Sequence, residues 1–465
     1  MSHGAPGGSA GMKQVRSPEA ATDAWTLKFV GVTASLVLGL APAGCGQKKT
    51  DGSTAPAPSA SVASSASAAT SGSANAPATS SSAVQAPPPA PSEPVGSGVS
   101  SFVAAAQTEA CKAQSGDIAT YLQRGEVTAA GREGAIAASW LIKLAANKPG
   151  AQLAFAGFAL DAKQVARARG IGTANETAPR MFANSAGWTL VWFDGDGLAY
   201  TKPRWETSPA PVIEHLSAVN AANADDVALA ATPAGAIVAV APFNMEKAQL
   251  GLFQFAPTDA AAPAVQALGA THHAHEPRRP AVAADGTGYT LAWQEGDGRI
   301  VVSRFDLAGK EIDEAHTLAA APPAGAPARE RVNLVATTKG AMAVWIEGDK
   351  ILARTVDAAA RPGEKTWLVG RGRSPALAPI GDGALVVFLG QEGGKDDQVL
   401  AVKLSESGEP SATGLRISDG TGAVKDPAAV TPAGPRMGFL WTEPMSGGVS
   451  TKRAVLRTLE SSCIP

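Results

Sequence analysis

An all-β fold made of about seven copies of one four-stranded module is predicted by three features of this sequence. Segments ending in a bulky anchor recur at Trp140, Trp192, Val240, Trp293, Trp345, Phe388 and Trp441, spaced 43 to 53 residues apart. Around each anchor, apolar and polar residues alternate with the period of a strand. Glycine (50) and proline (34) are plentiful while aromatics make up only 5% of the chain, a mixture suited to many short strands joined by tight turns.

The module is clearest between Pro280 and Gly309. Pro280 to Ala284 and Gly288 to Trp293 read as two strands, Glu295-Gly-Asp-Gly298 as a hairpin turn, and Arg299 to Asp306 as a third strand. The same layout recurs at Gly187 to Trp192 and at Gly340 to Trp345, with weaker copies ending at Trp140, Val240, Phe388 and Trp441. A lone meander exposes two apolar faces, and stacking modules round an axis buries both without leaving long free edges. The predicted architecture is therefore a β-propeller of about seven four-stranded blades, six being the nearest other count. The anchors Trp140, Trp192, Trp293, Trp345, Phe388 and Trp441 are expected to fill the gaps between blades, the competing role being a row of exposed platforms for sugars. In its small-residue strand, Gly turn and Trp-ended strand, the repeat is similar to β-propeller repeats of exported bacterial proteins. That resemblance covers roughly Gln107 to Cys463 and implies a fold, not an activity.

The front of the chain is different. Phe29 to Leu40 (FVGVTASLVLGL) is an apolar run preceded by Lys28, too short to span a bilayer and of the length of a signal-peptide core. The segment before Lys28 is long for a leader, so that either Met1 or Met12 is the start. The run is followed by Ala43-Gly44-Cys45, which resembles the lipobox of bacterial lipoproteins, although Pro42 stands where that family usually has Leu. The resemblance implies diacylation of Cys45, a mature chain beginning there and, with Gly46 next, anchorage to the outer membrane. Cleavage after Ala43 instead, at a small-x-small site, would release a soluble periplasmic or secreted protein, and an uncleaved anchor is the third reading. Residues 46 to 100 are almost entirely Ser, Ala, Pro, Thr and Gly, too poor in bulky apolar groups to offset the entropy of ordering. The expected organisation is a signal peptide over 1–44, a lipid-anchored disordered linker over 45–100 and a propeller over 101–465.

Charge and cysteines narrow the partners. Lys plus Arg (39) nearly cancels Asp plus Glu (41), so no single-sign field points to nucleic acid. With Cys45 taken by lipid, Cys111 and Cys463 remain at the two ends of the repeat region, either bonded as a staple in an oxidising compartment or free as two buried thiols.

Candidate chemistry is sparse. His272, His273 and His275 form the densest group of potential metal ligands, but adjacent histidines in a loop rarely supply the fixed four-ligand geometry of a zinc site. The Asp194-Gly-Asp196-Gly197 and Glu295-Gly-Asp297-Gly298 segments lack the rest of a calcium loop and read as hairpin turns. There is no G-x-S-x-G elbow and no P-loop. No cofactor is expected. The sequence accordingly suggests a monomeric, membrane-tethered binding or scaffolding module for an envelope protein or polymer, without enzymatic activity. The alternative is an extracellular carbohydrate-active enzyme working through carboxylates that line the channel.

Overall fold

The computed structural model describes residues 96–465 with breaks in loops, the longest at 105–110, 144–150, 206–211, 220–225, 258–263 and 446–451. Two units are distinguished, Met1–Val84 and Gln85–Pro465. The first, and with it the expected signal peptide and Cys45, lies outside the described residues, as do His272, His273 and His275.

Seven antiparallel sheets, each with four strands in meander order, form seven blades. Their inner strands are Val127–Arg132, Arg180–Asn184, Ala228–Ala231, Arg278–Ala284, Asn333–Thr337, Arg373–Ile380 and Ala429–Ala433, for blades one to seven. Each lies beside the inner strand of the next blade, and the seventh lies beside the first, so the ring is closed. Every anchor sits on the second strand of its blade, as the period requires.

Closure is made by exchange between the two ends of the repeat region. The outer strand of blade seven is Gln114–Leu122, from the N-terminal side, paired antiparallel to Lys452–Glu460 with Gln114 opposite Thr458 and Gly116 opposite Leu456. Cys111 and Cys463, just beyond the ends of these paired strands, are bonded to each other with Cα atoms 5.5 Å apart. Upstream, Phe102–Ala104 adds a fifth, parallel strand to the outer edge of blade six. On the inner side, blades one and seven approach so closely that a Cβ at Gly131 would collide with the Pro432 carbonyl, and the Gly131 amide donates to Thr431 Oγ1 at 2.7 Å. Only glycine fits that junction.

The core is divided among the seven gaps between blades. Trp140, Trp192, Trp293, Trp345, Phe388 and Trp441 are each at most 1% exposed, and each packs against the blade before its own. Rings so deeply buried offer nothing to solvent, which removes the reading of these residues as sugar platforms. Blade three departs from the expected anchor: Val240 faces the other way and packs with blade four, while the small Ala241 faces blade two, and that gap is filled by Tyr200, Phe253 and Phe255. The Tyr200 and Phe255 rings lie 5.6 Å apart. The space to be filled is the same; its occupant comes from other strands.

The hairpin turn at Glu295 takes the expected form: the Glu295 amide donates to the Arg299 carbonyl, the Gly298 amide donates to the Glu295 carbonyl, and Gly298 has φ of 83°.

One buried ion pair belongs to the interior of blade four. Arg304 is 2% exposed and donates to Thr290 Oγ1 at 2.9 Å, Thr287 Oγ1 at 2.7 Å and Asp285 Oδ1 at 2.8 Å. Burial pushes the Asp285 carboxyl up, but hydrogen bonds from Arg304 and Thr287 and the Arg304 charge outweigh it, and the pKa falls to about 2. A carboxyl whose folded pKa is depressed stabilises the fold above its unfolded value and loses that contribution as pH falls through the folded one. About 2 kcal/mol is therefore expected to disappear between roughly pH 4 and pH 2. Urea denaturation of the wild type and Asp285→Asn at pH 6 and at pH 3 measures it; the gap between them should narrow at the lower pH, and a constant gap would contradict the linkage.

Candidate functional site

The seven inner strands surround a central channel, a cavity of about 470 Å³. Each blade contributes the first residues of its inner strand, so the wall is built from seven versions of one position. Most are small or apolar, among them Ala129, Leu229, Ala281, Val332, Leu377 and Ala429. The polar side chains in the described lining are Thr128, Arg180, Arg331, Asn333 and Ser374, and neither Asp nor Glu is among them. Thr128 is already used, accepting from the Met181 amide of the neighbouring blade at 3.2 Å.

The arginines gather at one mouth, where the inner strands begin. Arg331 stands two residues before the blade-five strand and donates from Nη2 to the Val227 carbonyl of blade three at 3.0 Å. That bond passes blade four, so the guanidinium reaches over the opening. Arg180 is exposed at the start of blade two's inner strand. Arg279, also exposed, stands beside the lining residue Pro280 and donates from Nη1 to the Arg329 carbonyl at 2.7 Å.

Two blades carry the same irregularity here. In blade four the register passes from Arg278 opposite Gln294 to Ala281 opposite Ala292, and in blade six from Arg373 opposite Leu389 to Ala376 opposite Val387. Two residues thus face one on the partner strand, which is a bulge and re-aims the side chains in it. The bulged pairs, each one residue longer than the strand opposite, are Arg279-Pro280 and Ser374-Pro375, and both Arg279 (φ 51°) and Ser374 (φ 53°) are left-handed. On the same face but further out along its blade, Phe243 lies at the end of the second strand, where register is lost between Pro242 and Asn244; it is 56% exposed, with its ring edge-on to Phe253 of the third strand at 6.0 Å.

Several charges of this face meet in ion pairs. Arg278 meets Glu276 at 2.6 Å, Arg371 meets Asp349 at 2.6 Å and Arg453 meets Glu443 at 2.8 Å. Arg299 is paired with Glu295 and the buried Arg329 with Glu347. In two blades the acid also serves the anchor: the Trp345 indole donates to Glu347 Oε1 at 3.1 Å and the Trp441 indole to Glu443 Oε1 at 2.8 Å.

The residues singled out in the sequence thus fall apart in space. The six aromatics are core and the two cysteines are bonded at the ring closure, away from the channel. Among the described residues no group of three or more His, Cys, Asp or Glu could hold a metal ion, and no helix is long and apolar enough to cross a membrane. The mouth arginines were missed. Their signal was the recurrence of arginine at blade starts, in Pro179-Arg180, Arg278-Arg279-Pro280-Ala281, Arg331-Val332 and Arg373-Ser374-Pro375-Ala376.

No protein-family model and no curated protein matches this sequence. The fold is shared with solved structures at low identity. The polysaccharide lyase Uly1 superposes with a TM-score of 0.46 at 9% identity, covering 74% of this chain and 91% of that one. The catalytic domain of the Coprinopsis cinerea GH62 α-L-arabinofuranosidase gives 0.35 at 10% identity, covering 75% and 97%. The WD40 domain of SCAP from fission yeast gives 0.40 at 7% identity, covering 76% and 99%. At these scores the likeness carries nothing finer than a shared fold, and the count of seven blades is read from the sheets of this chain. The expectation of a protein without enzymatic activity is corrected to this extent: the solved structures that superpose on the chain include a polysaccharide lyase and glycoside hydrolases, so the fold gives no ground for it. The physical reason is that a ring brings together residues about fifty positions apart, so a catalytic set spread over blades leaves no short motif in the sequence.

Proposed function

We propose that this propeller is a carbohydrate-directed protein of the cell envelope, and that its ligand is an acidic saccharide chain seated at the arginine-bearing mouth of the channel. One observation carries the reading: on a chain of net charge −2, Arg180 and Arg331 line one opening whose described lining holds no carboxylate, and Arg279 stands next to the lining residue Pro280. An opening of that kind favours carboxylate, sulfate or phosphate groups and disfavours cations. Phe243, exposed on the same face, supports a sugar over a bare anion, because an exposed ring supplies a flat apolar face against which a pyranose of a chain leaving the mouth can lie. The export signal and lipid-anchored spacer expected at residues 1–100 are part of the proposal, since they would hold the head where envelope polysaccharides are found.

The arrangement also separates two cleavage chemistries. Hydrolysis through paired acids needs two carboxyl groups facing one another across the bond. Elimination beside a uronate needs the neighbouring carboxylate neutralised while a proton leaves the adjacent carbon, and guanidinium groups supply that neutralisation. The mouth supplies the neutralisation, but its described lining holds no carboxylate, histidine or tyrosine to take the proton, so it is assigned binding of the anion and no cleavage step.

The test is calorimetric titration of the purified chain with polygalacturonate and with neutral dextran, together with ultraviolet detection of unsaturated chain ends. Binding of the uronate polymer that weakens steeply with salt, and none of dextran, is expected. Equal binding of both polymers, or of neither, would remove the reading.

A further inference from the structure

We infer that Arg279 is the residue that reads the ligand's charge, holding one oxyanion of the saccharide, carboxylate or sulfate, in its guanidinium fork. This rests on the reading of the mouth given above.

The backbone argues first. A side chain larger than glycine's is disfavoured at a φ of 51°, and the following proline disfavours it further. Blade six builds the same bulge with the small Ser374 before Pro375, so an arginine is not needed for the fold at this position. Arg279 is exposed and fills no core gap that would offset the strain. Non-glycine residues kept in such conformations cluster where a side chain is aimed for binding.

The charges argue second and independently. Arg278, one residue earlier, is matched by Glu276, and Arg299, in the same blade, by Glu295. Among the described residues no carboxylate is paired with Arg279. Its one hydrogen bond, to the Arg329 carbonyl, fixes the guanidinium beside the segment that leads into Arg331. A guanidinium has five N–H donors, and the planar fork matches two oxygens of a carboxylate or sulfate.

The experiment compares wild type, Arg279→Gly, Arg279→Ala and the neighbouring control Arg278→Ala in the full chain. Affinities for polygalacturonate, dextran sulfate and neutral dextran are measured by calorimetry, and melting temperatures by differential scanning fluorimetry. Both Arg279 variants are expected to bind at least one polyanion about tenfold more weakly or worse, while Arg278→Ala loses much less. The two polyanions show which oxyanion is preferred. Arg279→Gly, relieved of strain, should melt no lower than wild type and above Arg279→Ala. A smaller loss of affinity in Arg279→Gly, or a loss equalled by Arg278→Ala, overturns the assignment. So does a fall in the Arg279→Gly melting temperature, which would make the residue a support of the fold. Failure of the wild type to bind either polyanion is a different result: it removes the reading of the mouth itself.

Discussion

Replacing Cys111 and Cys463 together by serine is expected to lower the melting temperature of the propeller by about 5 to 8 °C. The bond closes a loop of sequence separation 352, and for a loop this long the chain-entropy argument sets an upper bound of roughly 5 to 6 kcal/mol. The structure shows why the constraint falls where it matters. Six blades are completed by strands that follow one another in the chain, whereas blade seven borrows its outer strand, Gln114–Leu122, from the far side of the repeat region. Without the bond, that strand is held by the backbone ladder to Lys452–Glu460 and by side-chain bonds such as Arg457 Nε to Ser115 Oγ at 2.9 Å. Peeling it away leaves blade seven with three strands and uncovers the gap that Ile118 of this strand fills beside Trp140. Calorimetric melting of the double variant, and of wild type with and without reductant, measures the effect. Melting within about 1 °C of wild type would show that the ring is closed by its noncovalent contacts alone.

The second large effect is expected at an anchor. Trp345→Ala should destabilise the protein by about 3 to 5 kcal/mol, the usual cost of removing a fully buried large aromatic. The ring is 1% exposed between blades four and five, against Ala281, Ile300 and Val302. The indole also donates to Glu347, which accepts from the nearly buried Arg329, so truncation leaves a cavity and loosens the pair that ties the blade-five hairpin to the segment before its inner strand. Trp345→Phe separates the two contributions, keeping most of the packing while losing the N–H, and should cost about 1 to 2 kcal/mol. Urea unfolding of both variants gives the numbers. A cost below about 1 kcal/mol for the alanine variant would mean that the gap between blades collapses around the missing ring.

How the repeat was legible, and the site was not, is seen by comparing Trp345 with Arg331. Trp345 ends an alternating apolar strand that recurs every fifty residues or so, and every gap between blades needs a filler at that place, so the demand is printed repeatedly along the chain. Blade three shows the limit of such reading. There Val240, on the expected period, faces blade four, and the gap before its blade is filled by Tyr200, Phe253 and Phe255 from other strands, a substitution that only packing reveals. Arg331 answers to no such period. Its partner, the Val227 carbonyl, lies 104 residues away and two blades round the ring, and nothing in either local sequence announces the contact.

By itself, the sequence determined that the chain is all-β, that its module is a four-stranded meander, and that about seven copies close on themselves. These follow from short-range alternation and its recurrence, which are properties of the chain as a line. Tertiary structure alone decided the count of seven, the borrowed strand that completes the last blade, and the meeting of Arg180 and Arg331 at a mouth whose described lining holds no carboxylate. Each of these depends on which distant residues share an axis, and that is set by the curvature of the ring, not by any neighbouring pair of residues.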